Sequence, residues 1–500
     1  MKRTLFTLTL VAVLTAAGVA ARAEVIPNSL FSEGLVLQQG ISVPIWGTAK
    51  DGEQVTVKLQ GQTAVATASQ GRWMVRLKPL KPGGPFTMTI SGENTITLTN
   101  VLVGEVWLCS GQSNMAFALA RATNAQAAIA AAGDPQLRLF AVPHGPADEP
   151  KTDVGGTWQE STPETATTFS AVAYFFGRDL RKALKVPVGL IHSSVGGTPA
   201  EAWTSHLTLE NDPALKPILE RYAENVKNFS ATGAAEKRQA AAEKRKAAAA
   251  KAKAEGKPAP KAARAAVDPR RASSRPSGLY NAMIAPLQPY ALAGVIWYQG
   301  EANAGRAAEY QKLFPAMIRN WRQAWIQGDF PFLFVQIAPH ERMTPEIREA
   351  QLFTSQTVPH TAMAVITDVG NATDIHPTQK EPVGARLALA ARAVAYHEKL
   401  EYSGPVYHSM KVSGHQAILS FAHAGKGLVA EGGELKGFTV AGEDGNFVAA
   451  AAKIEKDKVI VSSPDVSKPT AVRYGWVNVP DVNLFNQEGL PATPFRTDTN

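Results

Sequence analysis

An α/β core built on a parallel sheet, with β-rich segments before and after it, is the fold class predicted for this 500-residue chain. Three observations predict it. From about residue 101 to 404, short fully apolar runs alternate with amphipathic stretches of helical period. Residues 24–100 and 405–500 show instead the two-residue alternation of strands. Gly/Pro/Asp-rich separators punctuate the first of these flanks, as at Asp51-Gly52 and Pro82-Gly83-Gly84-Pro85. A chain of this length also exceeds one ordinary domain.

Taken in order, the chain opens with Lys2 and Arg3, an apolar run over 5–20 and Ala21-Arg22-Ala23. This is the pattern of a secretory signal, so residues 1–23 are expected to direct export to the periplasm or the exterior. No later segment approaches the roughly 20 apolar residues of a membrane span. Alternation over 55–59, 72–77 and 86–90 predicts a small β-sandwich for 24–100. The expected catalytic domain, 101–404, carries strands at 106–109, 188–192, 294–298, 332–336 and 362–367. Helices are expected at 171–184, 307–325, 347–354 and 383–397. Apolar strands between amphipathic helices indicate a parallel sheet covered on both faces. Ligands of such sheets bind beyond the carboxyl ends of the strands.

Within that domain, 215–277 reads as an Ala/Lys/Arg-rich insertion, helical or unstructured, with strong helix propensity and almost no apolar stripe. Residues 405–500 return to β texture, as at 417–421 and 459–461. The insertion also explains the charge. The chain is formally +8, yet residues 236–275 alone carry thirteen Lys/Arg against four Asp/Glu. Without them and the leader the chain is net negative, which argues against a nucleic-acid-binding face. The single cysteine, Cys109, excludes an intramolecular disulfide and reads as a packing residue.

The chemistry is expected at Ser113. It follows Val106-Trp107-Leu108-Cys109-Ser110-Gly111-Gln112, at a strand end and ahead of a helix-compatible stretch over 115–120. Backbone N–H groups at such a junction are unpaired and favour developing negative charge. A lone serine there is commonly a helix cap; the rest of the chain supplies partners. His376, in Asp374-Ile375-His376-Pro377 after a predicted strand, is the candidate general base, and Asp374 or Glu301 the candidate orienting acid. Taken alone, a loop histidine beside Asp and Pro also reads as a turn residue or metal ligand, and Glu301 as a loop anchor. His192, at a strand end, reads as structural. Oxyanion donors are expected from the N–H groups of Ser113 and of Gly197 in Ser194-Val195-Gly196-Gly197-Thr198. An amide side chain from Gln299-Gly300-Glu301-Ala302-Asn303 is expected to join them, Gln299 first and Asn303 second. This set predicts a serine esterase.

Gly111-Gln112-Ser113-Asn114-Met115, the Gly196-Gly197 loop, Gln299-Gly300-Glu301 and Asp374-Ile375-His376-Pro377 resemble the blocks of the SGNH hydrolase superfamily. With Gly196-Gly197-Thr198-Pro199-Ala200-Glu201-Ala202-Trp203, Trp297-Tyr298-Gln299-Gly300-Glu301 and Gly489-Leu490-Pro491-Ala492-Thr493-Pro494-Phe495, the chain is more closely similar to the sialate O-acetylesterase family. The resemblance covers nearly the whole chain after the leader except the insertion. It implies a flavodoxin-like three-layer α/β/α domain with flanking β domains. It also implies removal of O-acetyl groups from sugars with no metal or organic cofactor. One departure stands out: the superfamily acid lies three residues before the histidine, where this chain has Thr373. The third member is therefore Asp374, Glu301 or a backbone carbonyl. Gln112, Trp203, Arg348 and Gln351 are candidate sugar contacts, Arg348 toward a sialic-acid carboxylate. Acetylated xylan or pectin is the alternative substrate, and a non-catalytic glycan-binding envelope protein the alternative of another class.

Overall fold

The computed structural model describes residues 24–255 and 267–498, so the expected leader lies outside the described residues. Its core is a sheet whose central strands run in the order Trp158–Ser161, Asp134–Ala141, Val188–Ser194, Thr95–Gly111, Gly294–Tyr298, Phe332–Val335 and Thr361–Ala364. The first pair is antiparallel and the others are parallel. Alternate side chains of each strand point to opposite faces. Trp107, Cys109, Ile296 and Leu333 thus join one core, with helices Ala171–Leu184 and Glu381–Val394. Val106, Leu108, Trp297 and Phe334 join the other, under helices Ala307–Trp325 and Pro345–Thr357. This is the expected three-layer α/β/α arrangement. Each fully buried large side chain contributes roughly 1.5–3 kcal/mol.

Local sequence explains the helix positions. Ser170 caps Ala171–Leu184 by accepting from the Ala173 N–H at 3.1 Å. That helix crosses Glu381–Val394 so closely that a Cβ on Gly384 would stand 2.6 Å from Phe175 Cβ.

The expected boundary at residues 100 and 101 falls inside one strand. In Thr95–Gly111 the first half pairs with Gly83–Ser91 and with Val36–Gln38, and the second half with the parallel strands of the core. A second sheet, Ile26–Pro27 with Val43–Thr48 and Arg72–Leu77, completes the N-terminal β region. The C-terminal region forms two four-stranded sheets and a two-stranded ladder around its own core, including Leu419, Val440, Val461, Tyr474 and Phe495. Within the insertion, Ala231–Ala254 is a helix, as its propensity predicts. Among the described residues no helix is long and apolar enough to cross a membrane.

Candidate active site

The sheet brings Ser113 and His376 together. Ser113 Oγ and His376 Nε2 are 2.8 Å apart although 263 positions separate them in sequence. Gly111 lets the strand end there: its φ is +139°, and a Cβ would stand 2.2 Å from the carbonyl oxygen of Tyr298. Gln112 N–H then donates to that same carbonyl at 3.0 Å.

No regular helix follows, contrary to expectation. A single turn closes when Ala116 N–H donates to Gln112 O at 2.9 Å. The chain then leaves extended, because Phe117 O accepts from Ala171 N–H and Leu119 N–H donates to Phe169 O. Tertiary hydrogen bonds thus override the helical propensity of 115–120, and turn amides, not a helix dipole, surround Ser113. The glycine loop packs against it: a Cβ on Gly196 would lie 3.4 Å from Ser113 Cβ, and Gly197 has φ +74°. Beyond this loop opens a cleft of about 970 Å³. It is lined by Gly196, Gly197, Ala302 and Arg306 on one side and by Arg271 and Pro276, from the return of the insertion, on the other.

The two candidate acids stand differently. Asp374 Oδ1 accepts from the backbone N–H of His376 at 2.9 Å and lies 3.9 Å from Nδ1, too far for a hydrogen bond to the ring. Its side chain is 62 % exposed. Glu301 is half-buried with its carboxylate desolvated, which raises its pKa. It reaches the imidazole loop through Asn114, whose Nδ2 donates to Glu301 Oε1 at 2.5 Å and to the carbonyl of Ile375 at 3.0 Å. Asn114 Oδ1 in turn accepts from Lys380 Nζ at 2.6 Å. Asn114 and Lys380 were not anticipated from sequence. The signal existed: a lysine at the N-cap of helix Glu381–Val394 opposes the helix dipole and demands a partner.

Several expected contacts are corrected by burial. Both hydrogens of Gln299 Nε2 have acceptors, Asn303 Oδ1 at 2.7 Å and the Thr198 carbonyl at 3.3 Å. Asn303 Nδ2 donates to Glu201 Oε2 at 2.9 Å and its Oδ1 accepts from Ala200 N–H. These two amides lock the glycine loop to the Gly300 loop, which leaves the backbone N–H groups of Ser113 and Gly197 as the candidate oxyanion donors. Gln112 is a buried tie whose Oε1 accepts from Ala302 N–H at 3.2 Å. Trp203 is fully buried, edge-on to Trp297 at 6.0 Å, so it is core and not a sugar platform. Arg348 is fully buried and donates to the carbonyls of Val477 and Asn478, which joins the C-terminal region to the core. Gln351 is also buried, accepting from Ile337 N–H at 2.9 Å and donating to Gln299 O at 3.1 Å. His192 is structural, as expected: its Nε2 meets Ser194 Oγ at 2.6 Å, and desolvation lowers its pKa to about 4.

Comparison with known proteins agrees with this architecture. The family model for carbohydrate esterases described as sialic acid-specific acetylesterase matches residues 269–393, which include Gln299 and His376. Sialate O-acetylesterase of Rattus norvegicus is 35% identical over 435 residues, covering 78% of this chain and 77% of that protein. The Homo sapiens sialate O-acetylesterase is 32% identical over 441 residues, covering 79% and 76%. In structure, a carbohydrate acetylesterase from Xanthomonas citri aligns with a TM-score of 0.80 at 38% identity, covering 95% of this chain and 100% of that one. These matches set aside the non-catalytic glycan-binding alternative. By these relatives the chain belongs to the sialate O-acetylesterase family and is a carboxylic ester hydrolase.

Proposed function

We propose that this protein is exported and removes O-acetyl groups from sugars, with O-acetylated sialic acid as the preferred substrate, through an acetyl-enzyme on Ser113. The observation that carries the mechanism is the 2.8 Å contact between Ser113 Oγ and His376 Nε2 at the mouth of the sheet. His376 takes the hydroxyl proton as Oγ attacks the acetyl carbonyl, and the negative oxygen is held by the N–H groups of Ser113 and Gly197. The imidazolium then returns the proton to the departing sugar hydroxyl. Water, deprotonated by His376, releases acetate and restores the serine. Glu301, acting through Asn114, is favoured over Asp374 as the carboxylate that orients the imidazole loop, because it is half-buried and linked while Asp374 is exposed and 3.9 Å from the ring. The sugar leaving group occupies the cleft beside Gly197, against Arg271.

The names of the relatives support the sialate reading, and that of the Xanthomonas citri protein supports carbohydrate deacetylation more broadly. Acetate release from O-acetylated sialic acid, acetylated xylan and acetylated pectin, each with wild type and Ser113→Ala, tests both parts. The expected result is fastest release from the sialic acid, abolished in the variant. Faster release from a plant polysaccharide overturns the substrate, and undiminished release by the variant overturns the mechanism.

A further inference from the structure

Asn114 and Ile375 are the chain neighbours of Ser113 and His376, and the Asn114–Ile375 hydrogen bond at 3.0 Å runs beside the 2.8 Å contact between the reacting side chains. Whatever fixes the Asn114 amide therefore fixes the distance from hydroxyl to imidazole. Two groups do so. Glu301 Oε1 accepts from its Nδ2, and Lys380 Nζ donates to its Oδ1 at 2.6 Å. With its oxygen turned to Lys380, the amide can only present hydrogens to Glu301 and Ile375.

Lys380 is completely buried, over the rings of Phe117 at 4.9 Å and Tyr298 at 5.2 Å. Burying an amine is costly unless it is partnered. Its position also works against the dipole of its own helix. Two unfavourable features at one residue mark a group retained for something other than stability. Tyr298 ends the strand beside the nucleophile strand, and Phe117 lies on the segment leaving the nucleophile turn, so the lysine is held by the same elements it braces.

We propose that Lys380 is a positioning residue of this hydrolase: by orienting the Asn114 amide, it holds the nucleophile turn and the imidazole loop in the register that places Ser113 Oγ on His376 Nε2. This rests on Ser113 and His376 being the reacting pair. Lys380 donates to Asn114 in either charge state, and it acts on turnover, not on binding of the sugar.

The test is Lys380→Met, which keeps the length of the side chain and removes its donor, measured beside Ser113→Ala. With 4-nitrophenyl acetate, kcat is expected to fall roughly 10- to 100-fold with KM within about threefold, as for a misplacement of order 1 Å. Labelling of Ser113 by a fluorophosphonate is expected to slow in parallel, with circular dichroism unchanged. A kcat within twofold of wild type, a loss confined to KM, or a loss matched by the unfolded fraction overturns the proposal. If Lys380→Met does not fold, Lys380→Leu and Lys380→Gln carry the same test, the first without a donor to Asn114 and the second with one at shorter reach; equal turnover in the two overturns the proposal. An inactive Ser113→Ala with unimpaired Lys380→Met sinks only this proposal; an active Ser113→Ala sinks the reading beneath it.

Discussion

Two serine–histidine pairs sit at the same edge of the central sheet. Ser113 meets His376 at 2.8 Å and Ser194 meets His192 at 2.6 Å, and Ser194 lies directly across from Gly111 on neighbouring strands. By distance alone the second is the better pair. It differs in everything else. Ser194 is fully buried, His192 stands edge-on to Phe169 at 5.3 Å, and desolvation lowers the His192 pKa to about 4, which makes it a poor proton acceptor near neutrality. The Ser113 side chain is partly open, the His376 side chain is 32 % exposed, and a cleft opens beyond the Gly196-Gly197 loop. A short hydroxyl–imidazole contact is therefore not by itself a sign of a reacting pair; room for an acyl group beside Ser113 is what supports the reading proposed above.

The largest expected effect breaks that comparison directly. Ser113→Ala is expected to reduce turnover of 4-nitrophenyl acetate by roughly 10³- to 10⁶-fold, while Ser194→Ala changes it by less than about threefold, because an inert pair only packs. Comparable losses in both variants would remove the distinction. Next in size is the orienting carboxylate. Loss of a true triad acid costs about 10⁴ in rate through the wrong imidazole tautomer. Glu301 acts through Asn114 and does not touch the imidazole. Glu301→Gln is therefore expected to lose about 10²-fold through misplacement, short of that figure, and Asp374→Asn less than about tenfold, as steady-state kinetics will show; the reverse order would assign the role to Asp374.

A third prediction concerns stability. Burial lowers the Lys380 pKa to about 7, against the opposing pull of Glu301 and Asp374. In the unfolded chain a lysine titrates near 10.4. Between about pH 7 and 10 the unfolded state therefore binds the extra proton, and this residue makes unfolding free energy rise with pH, by at most about 1.4 kcal/mol per unit. Below pH 7 both states are protonated and the slope vanishes. Urea unfolding at pH 7 and pH 9 is expected to show wild type gaining stability relative to Lys380→Met at the higher pH. A constant difference would mean the amine is not desolvated as described. The smallest effect is expected at Arg271, an exposed cleft residue. Arg271→Ala should raise KM for O-acetylated sialic acid about two- to fivefold, the worth of one exposed ion pair, and leave KM for 4-nitrophenyl acetate unchanged.

The layout of these elements was readable because apolar strands and amphipathic helices write their periods plainly. Helix Ala171–Leu184 and strand Gly294–Tyr298 match their expected bounds. Ser113 and His376 were readable because each ends or follows such a strand. What sequence does not carry is which way a side chain faces once its loop is placed. Trp203, Arg348 and Gln351 all flank the crevice in sequence and all turn into the core. The helix expected after Ser113 was lost for a related reason: its competitor, the backbone of residues 169–171, lies more than fifty positions away. Lys380 went unseen because its purpose depends on an amide 266 positions distant.

The strand Thr95–Gly111 binds the N-terminal β region and the catalytic layer into one backbone seventeen residues long. The N-terminal region is thus less an appendage than the outer end of the beam that leads to Ser113. Shortening the protein at that point would remove the anchorage of Ser113 itself.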